Sequence, residues 1–141
     1  MSSENRSYLR RIGWRGEKRM EEELKKYGEV IAHEVFDTDY LGTPDFLLKT
    51  VNGKVYGVEC KTVKSITNGV IGRISLRGNQ REVLASFCKK HGITPILFVE
   101  IRLSRAEGHM YRFVPLIEKD HLTVWQILDA GSKTLDSEVF E

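Results

Sequence analysis

The sequence predicts an α/β domain with a central mixed β-sheet flanked by helices, and three observations carry that expectation. Apolar spacing changes along the chain in the order helix, strand, hairpin, helix, strand, strand, which is the signature of a sheet covered by helices. Asn52-Gly53 lies between two apolar runs and signals a tight hairpin. Thr94 to Ile101 is strongly apolar and reads as a central strand.

The elements follow in order. Residues 1–12 are polar and basic and are read as a mobile arm or the start of a helix. Glu17 to Tyr27 has a helical stripe of Met20, Leu24 and Tyr27, acids in its first turns, lysines in its last, and Gly28 beyond. Val30 to Phe36 is the first strand, and residues 37–42 form the loop into the next. Phe46 to Val51 and Val55 to Cys60 are the two strands of the hairpin, with Pro44 at the entry, where no ladder donor is needed. Thr62 to Leu76 is a polar, glycine-containing link with embedded Val70, Ile71, Ile74 and Leu76, read as a substrate-facing loop or an extra short strand. Asn79 to His91 is the second helix, with Asn79 and Glu82 in a capping-box pattern and Val83, Leu84, Phe87 and Cys88 as its apolar face. His109 to Leu116 alternates as a strand. Thr123 to Asp129 is a short helix, and residues 131–141 are an acidic tail.

At 141 residues the chain is expected to be one domain, 1–141, with a single core. No apolar run is long enough to span a bilayer, and the N-terminus lacks a signal-peptide core, so an intracellular protein with no membrane partner is expected. Only Cys60 and Cys88 occur, without a CxxC pair, which argues against a disulfide framework or structural zinc. The four histidines lack ligand spacing. No glycine-rich phosphate loop is present, so no nucleotide cofactor is expected.

Net charge is only +2, but its distribution is uneven. Between residues 61 and 90 lie Lys61, Lys64, Arg73, Arg77, Arg81, Lys89 and Lys90, with Glu82 the sole acid. The N-terminal segment adds further arginines, Arg15 among them. A basic stretch beside carboxylates suits a polyanion that must be drawn in despite the acids. For any single cation the plain reading is a solvated surface.

The hairpin carries the chemistry. Asp45 stands at the mouth of one strand, and Glu59 and Lys61 stand near the end of the other, sharing a face because side chains alternate. Two carboxylates meeting at a strand end suit Mg²⁺, which takes hard oxygen ligands and keeps several waters. A lysine beside them would orient or deprotonate a water. The bland alternative is a surface hairpin with scattered charges, since Glu-x-Lys alone carries no signal. Glu17 falls on the inward stripe of the first helix, with Glu21 one turn later as its rival. Both are equally readable as first-turn acids complementing the helix dipole. Asp37 and Asp39 are read as turn residues outside the site.

Pro44-Asp45, a short hairpin, then Glu59-Cys60-Lys61 resembles the PD-(D/E)xK nuclease superfamily and its restriction-endonuclease-like core. Arg15-Gly16-Glu17, Gln80 opening a helix, His91-Gly92-Ile93-Thr94-Pro95 before an apolar strand, and the late Tyr111-Arg112-Phe113-Val114 look like archaeal-type Holliday junction resolvases. The similarity spans residues 15 to 116. It implies a Mg²⁺-dependent endonuclease, with Mn²⁺ able to substitute, that nicks branched DNA symmetrically as a homodimer. Asp45 and Glu59 would be direct metal ligands, the Cys60 backbone carbonyl a further one, and Glu17 would reach the metal directly or through water. Lys61 would position the attacking water, and Gln80 would face the active site. Arg15, Lys64, Arg73, Arg77 and Arg81 are the expected DNA contacts. The loop before Pro44 departs from the resolvases, which favour serine and basic residues where this chain has Asp37 and Asp39. The alternatives are another nuclease of the superfamily, acting on duplex, flap or single-stranded DNA, and a non-catalytic DNA-binding module on the same fold.

Overall fold

The computed structural model describes residues 18–32, 44–76, 78–104, 107–117 and 119–135. Glu17, Arg15, Asp37, Asp39 and Arg77 lie outside them, as do residues 1–12 and most of the acidic tail.

A helix over residues 18–24 (α1) ends in a turn through Tyr27 and leads into β1, Gly28–Ala32. β2, Phe46–Thr50, and β3, Val55–Lys64, form the expected hairpin. Two short strands, β4 (Ile66–Thr67) and β5 (Val70–Ile71), pair with each other. β6 is Arg73–Ser75, and α2 spans Gly78–His91. β7 (Thr94–Arg102), β8 (His109–Pro115), β9 (His121–Thr123) and α3 (Val124–Ala130) complete the chain.

The main sheet has the order β1-β2-β3-β7-β8. All its pairings are antiparallel except β3 with β7, which run parallel from Tyr56↔Thr94 to Lys64↔Arg102. The parallel pair requires a crossover, and α2 lies within it. β7, between β3 and β8, buries apolar side chains on both faces because both faces are covered. One face buries Val58, Ile96, Phe98 and Phe113 against Met20 and Leu24 of α1. Tyr27 closes that layer, its ring edge-on to Phe113 at 4.9 Å. The other face buries Leu97, Val99, Ile101 and Val114 against Ile74 of β6, Leu122 of β9 and Ile127 of α3. Thr123 caps α3 in a reciprocal capping box with Gln126.

The tight turn expected at Asn52-Gly53 is present, as the loop Val51–Gly53 closed by Thr50 and Lys54. Gly53 N–H donates to Thr50 O, Thr50 N–H donates to Lys54 O, and Gly53 alone takes positive φ, +87°. This is the type I turn plus left-handed glycine of a bulged hairpin. A two-residue primed turn lies at Asn68-Gly69, where both φ values are positive, 51° and 76°. It turns part of the expected polar link into the β4–β5 hairpin. β3 also runs on to Lys64, beyond the expected end at Cys60, because pairing with β7 continues after β2 has stopped.

Candidate active site

β2 pairs with β3 only as far as Phe46↔Val58. Residues 59–64 of β3 run past that point, held on the other side by β7. Pro44, which has no N–H, stands at the break and cannot extend the ladder as a donor. Asp45 fills the gap with its side chain. Its Oδ2 accepts the Cys60 backbone N–H at 2.8 Å, a charge-assisted bond that fixes the carboxylate against β3. The Pro-Asp pair therefore acts as a unit: proline stops the sheet and the aspartate takes over its hydrogen bond.

Glu59 and Lys61 flank Cys60 and point to the opposite side of β3 from α1, by strand alternation from Val58. Lys61 Nζ is 3.9 Å from Glu59 Oε1, and both side chains are about three-quarters buried. The structure thus brings Asp45, Glu59, Cys60 and Lys61 together at the point where the sheet opens. Among the described residues no three acidic, histidine or cysteine side chains converge as a metal cluster. Glu17, the expected further carboxylate, is not one of them. The oxygen donors that are present suit a hard cation, since Mg²⁺ is commonly held by one or two carboxylates and retains water for the rest of its shell.

α2 covers the face that carries Glu59 and Lys61. Its buried stripe is Leu84 and Cys88. Cys88 sits against Gly57, where an added Cβ would lie 2.6 Å from its Sγ. Burial pushes that thiol up to about 11, so it stays protonated and inert. Gln80 is exposed and lies on the same stripe, two turns before Cys88. α2 runs opposite to β7 and hence to β3. Eight helical residues cover about 12 Å, close to four strand residues, which sets Gln80 about level with Lys61.

α1 packs on the other face. Thr62 Oγ1 donates to Met20 Sδ at 3.7 Å, so the helix passes over β3 one residue beyond Lys61. Arg19 leans toward β7, where its guanidinium forks onto Glu100. Glu23 lies on the same flank, its charge acting on Tyr111 of β8. At 100° per residue, Glu21 projects from the flank opposite Arg19.

Glu100 is the functional-looking residue that sequence reasoning passed over. It is fully buried near the C-terminal end of β7. Arg19 Nε and Nη2 donate to it at 2.7 and 2.6 Å, Tyr111 Oη at 2.9 Å and Arg102 Nε at 3.4 Å, with His109 Nδ1 3.9 Å away. Burial opposes its ionisation, but the hydrogen bonds from Arg19 and Tyr111 and the charge of Arg19 outweigh it and hold the carboxyl below the usual range. Burial and the same carboxylate push Tyr111 up to about 12. The available signal was a lone acid inside an apolar strand.

The expected DNA contacts are dispersed. Lys64, at the end of β3, and Arg73, on β6, are exposed. Arg81 is mostly buried and pairs with Asp120 at 3.3 Å, tying α2 to the turn before β9.

No family model and no curated protein sequence matches the chain. Among solved structures, the chain is similar to Hjc of Archaeoglobus fulgidus, a Holliday junction resolvase from an archaeal hyperthermophile. The TM-score is 0.58 at 22% identity, over 83% of this chain and 92% of that one. With its mixed sheet flanked by helices, this chain has a restriction-endonuclease-like α/β fold.

Proposed function

We propose that the chain is a Mg²⁺-dependent endonuclease acting on DNA phosphodiesters, and that its substrate is branched DNA nicked symmetrically by a homodimer, as a Holliday junction resolvase would do. The observation that carries the reading is the 2.8 Å bond from Cys60 N–H to Asp45, which joins the Pro-Asp carboxylate to the Glu59-Cys60-Lys61 segment. Asp45, Glu59 and the Cys60 carbonyl would hold the ion, with a carboxylate of the first helix, Glu17 or Glu21, completing the set. When bound, the ion supplies Lewis-acid polarisation of the scissile phosphate and lowers the pKa of the attacking water.

The chain's own residues do the rest. Lys61 orients the water and offsets charge that builds on the phosphate in the transition state. Glu59, 3.9 Å from Lys61, keeps the ammonium in place until DNA arrives. Gln80, level with Lys61 on the covering helix, contacts the phosphate backbone. Lys64 and Arg73 draw the polyanion toward acids that would otherwise repel it. Dimerisation rests on the resolvase similarity, because two symmetric nicks need two sites.

The test is cleavage of a DNA panel in Mg²⁺, in Mn²⁺ and in EDTA. Paired nicks in four-way junctions that vanish in EDTA support the full reading. Equal cutting of linear duplex keeps the nuclease and removes the junction preference. Binding without cleavage in either metal would reduce the chain to a DNA-binding module.

A further inference from the structure

The strand that carries Glu59 and Lys61 continues into an apolar projection. Past Lys64 the chain forms the β4–β5 hairpin, in which Ile66 pairs with Ile71 and Thr67 with Val70 across the Asn68-Gly69 turn. Ile66 is 63% exposed, Val70 67% and Ile71 42%. Ile66 and Ile71 are cross-strand partners on one face of the hairpin and Val70 stands on the other, and exposed apolar groups that adjoin one another mark contact sites. A two-stranded hairpin is marginal by itself, yet this one has a tight root. Ser65 N–H donates to Arg102 O, and Gly72 N–H donates to Ser65 O. At Gly72 a Cβ would meet Lys64 O at 1.8 Å, so only glycine lets the strands close there.

The surroundings are cationic. Lys64 precedes the hairpin and Arg73 follows it, both exposed. An open cleft of about 980 Å³ runs beside it, lined by Lys64, Ile66, Arg102 and His109, with Glu107 as the acid at its edge. On the other side, Val124 N–H donates to Gly72 O, which sets the exposed Trp125 next to the hairpin's return strand. A protein-binding patch is poor in charge at its centre. Here aliphatic side chains stand between cations, the pairing used by proteins that hold phosphates and press an apolar wedge between bases.

We infer that the β4–β5 hairpin is a DNA wedge: Lys64 and Arg73 hold phosphates while Ile66, Ile71 and Val70 press into the base stack and open it. The inference rests on the nuclease reading and adds to it the state of the DNA, distorted a few base pairs from the cut. From Lys61 to Ile66 is at most about 17 Å of extended strand, or about five base steps of 3.4 Å. The opened step therefore falls within about five base pairs of the scissile phosphate.

The test uses the full-length Asp45→Asn protein, which traps bound DNA, and junction and duplex probes carrying 2-aminopurine at successive positions around the cut. Unstacking raises its fluorescence. The expected result is a rise of several-fold at one or two adjacent positions. It should be lost in Asp45→Asn carrying Ile66→Ser, Val70→Ser and Ile71→Ser, and retained with Val70→Leu. Thermal melting confirms that the serine variant is folded, and because the replaced side chains are exposed its melting temperature should hold. Binding without any fluorescence rise, or an equal rise in the serine variant, overturns the wedge and leaves the nuclease reading standing. Failure to bind DNA at all overturns both. A serine variant that turns a dimer into a monomer shows the hairpin to be a self-association surface and also overturns the wedge.

Discussion

Arg19 and Glu100 are 81 residues apart in sequence and meet in a forked ion pair, with both guanidinium–carboxylate contacts at 2.7 Å or less. The pair joins α1 to the central strand β7 and fixes the rotation of the helix. It thereby sets which flank of the helix carries Glu21. Removing one member of a buried pair strands the other charge and costs roughly 3–5 kcal/mol. Tyr111 and Arg102 remain on Glu100, and Arg19 is partly exposed, so Arg19→Leu should cost less, about 2–3 kcal/mol. Urea denaturation at pH 7 checks this, and a loss below about 0.5 kcal/mol would show that the pair does not anchor the helix.

The same pair sets a pH dependence. Glu100 is held below its ordinary value in the folded chain. Its contribution is complete above the unfolded carboxyl value of about 4.3 and is lost as pH falls through the folded one. The melting-temperature gap between wild type and Arg19→Leu should therefore be widest near neutrality and shrink as pH drops below about 4. A gap that does not change between pH 7 and 3 would mean that Glu100 is not ionised in the fold.

Gly57 and Cys88 make a packing test. A methyl group at Gly57 would sit 2.6 Å from Cys88 Sγ in the core, and overpacking of that kind typically costs about 1–3 kcal/mol. Gly57→Ala should destabilise the chain by that amount, and adding Cys88→Ala should recover part of it. Calorimetry of the double-mutant cycle reads the coupling. Strictly additive losses would place the strain elsewhere.

The helix carboxylate is the open choice within the site. Position on the stripe and spacing to Leu24 and Gly28 favour Glu17. Glu21 projects from the flank of α1 opposite Arg19, one residue beyond Met20, whose sulfur touches Thr62. Acids gathered without a cation repel one another, so a Gln at the true ligand should hold or slightly raise the melting temperature without Mg²⁺ and lose most of the nicking. Comparing Glu17→Gln with Glu21→Gln assigns the role. If both variants keep full rate, neither carboxylate serves the site.

Much of this was legible in the sequence for physical reasons. Periods of two and of three to four gave the sheet, the covering helices and the Met20–Leu24–Tyr27 stripe. Pro44-Asp45 and Glu59-Cys60-Lys61 could be matched because a hairpin imposes a fixed register. What was missed depended on chain segments meeting from afar. Glu100 was hidden in an apolar run, and only Arg19 and Tyr111 arriving from other elements make its burial tolerable. Asn68-Gly69 obeys the same turn rule as Asn52-Gly53 and was passed over because its strands are only two residues each. The Arg81–Asp120 ion pair joins residues 39 apart, a meeting that no local pattern announces.

The central claim is that Asp45, held on the Cys60 N–H, binds the metal for cleavage and is not merely a strand-end cap. Asparagine keeps an oxygen for that N–H and loses the charge. The decisive measurement is the single-turnover nicking rate of Asp45→Asn on a four-way junction in Mg²⁺, with junction affinity measured alongside. The expected rate is at least about a hundredfold lower, about 2.7 kcal/mol of barrier, with affinity equal or tighter and the fold intact. A variant that nicks at the wild-type rate would contradict it.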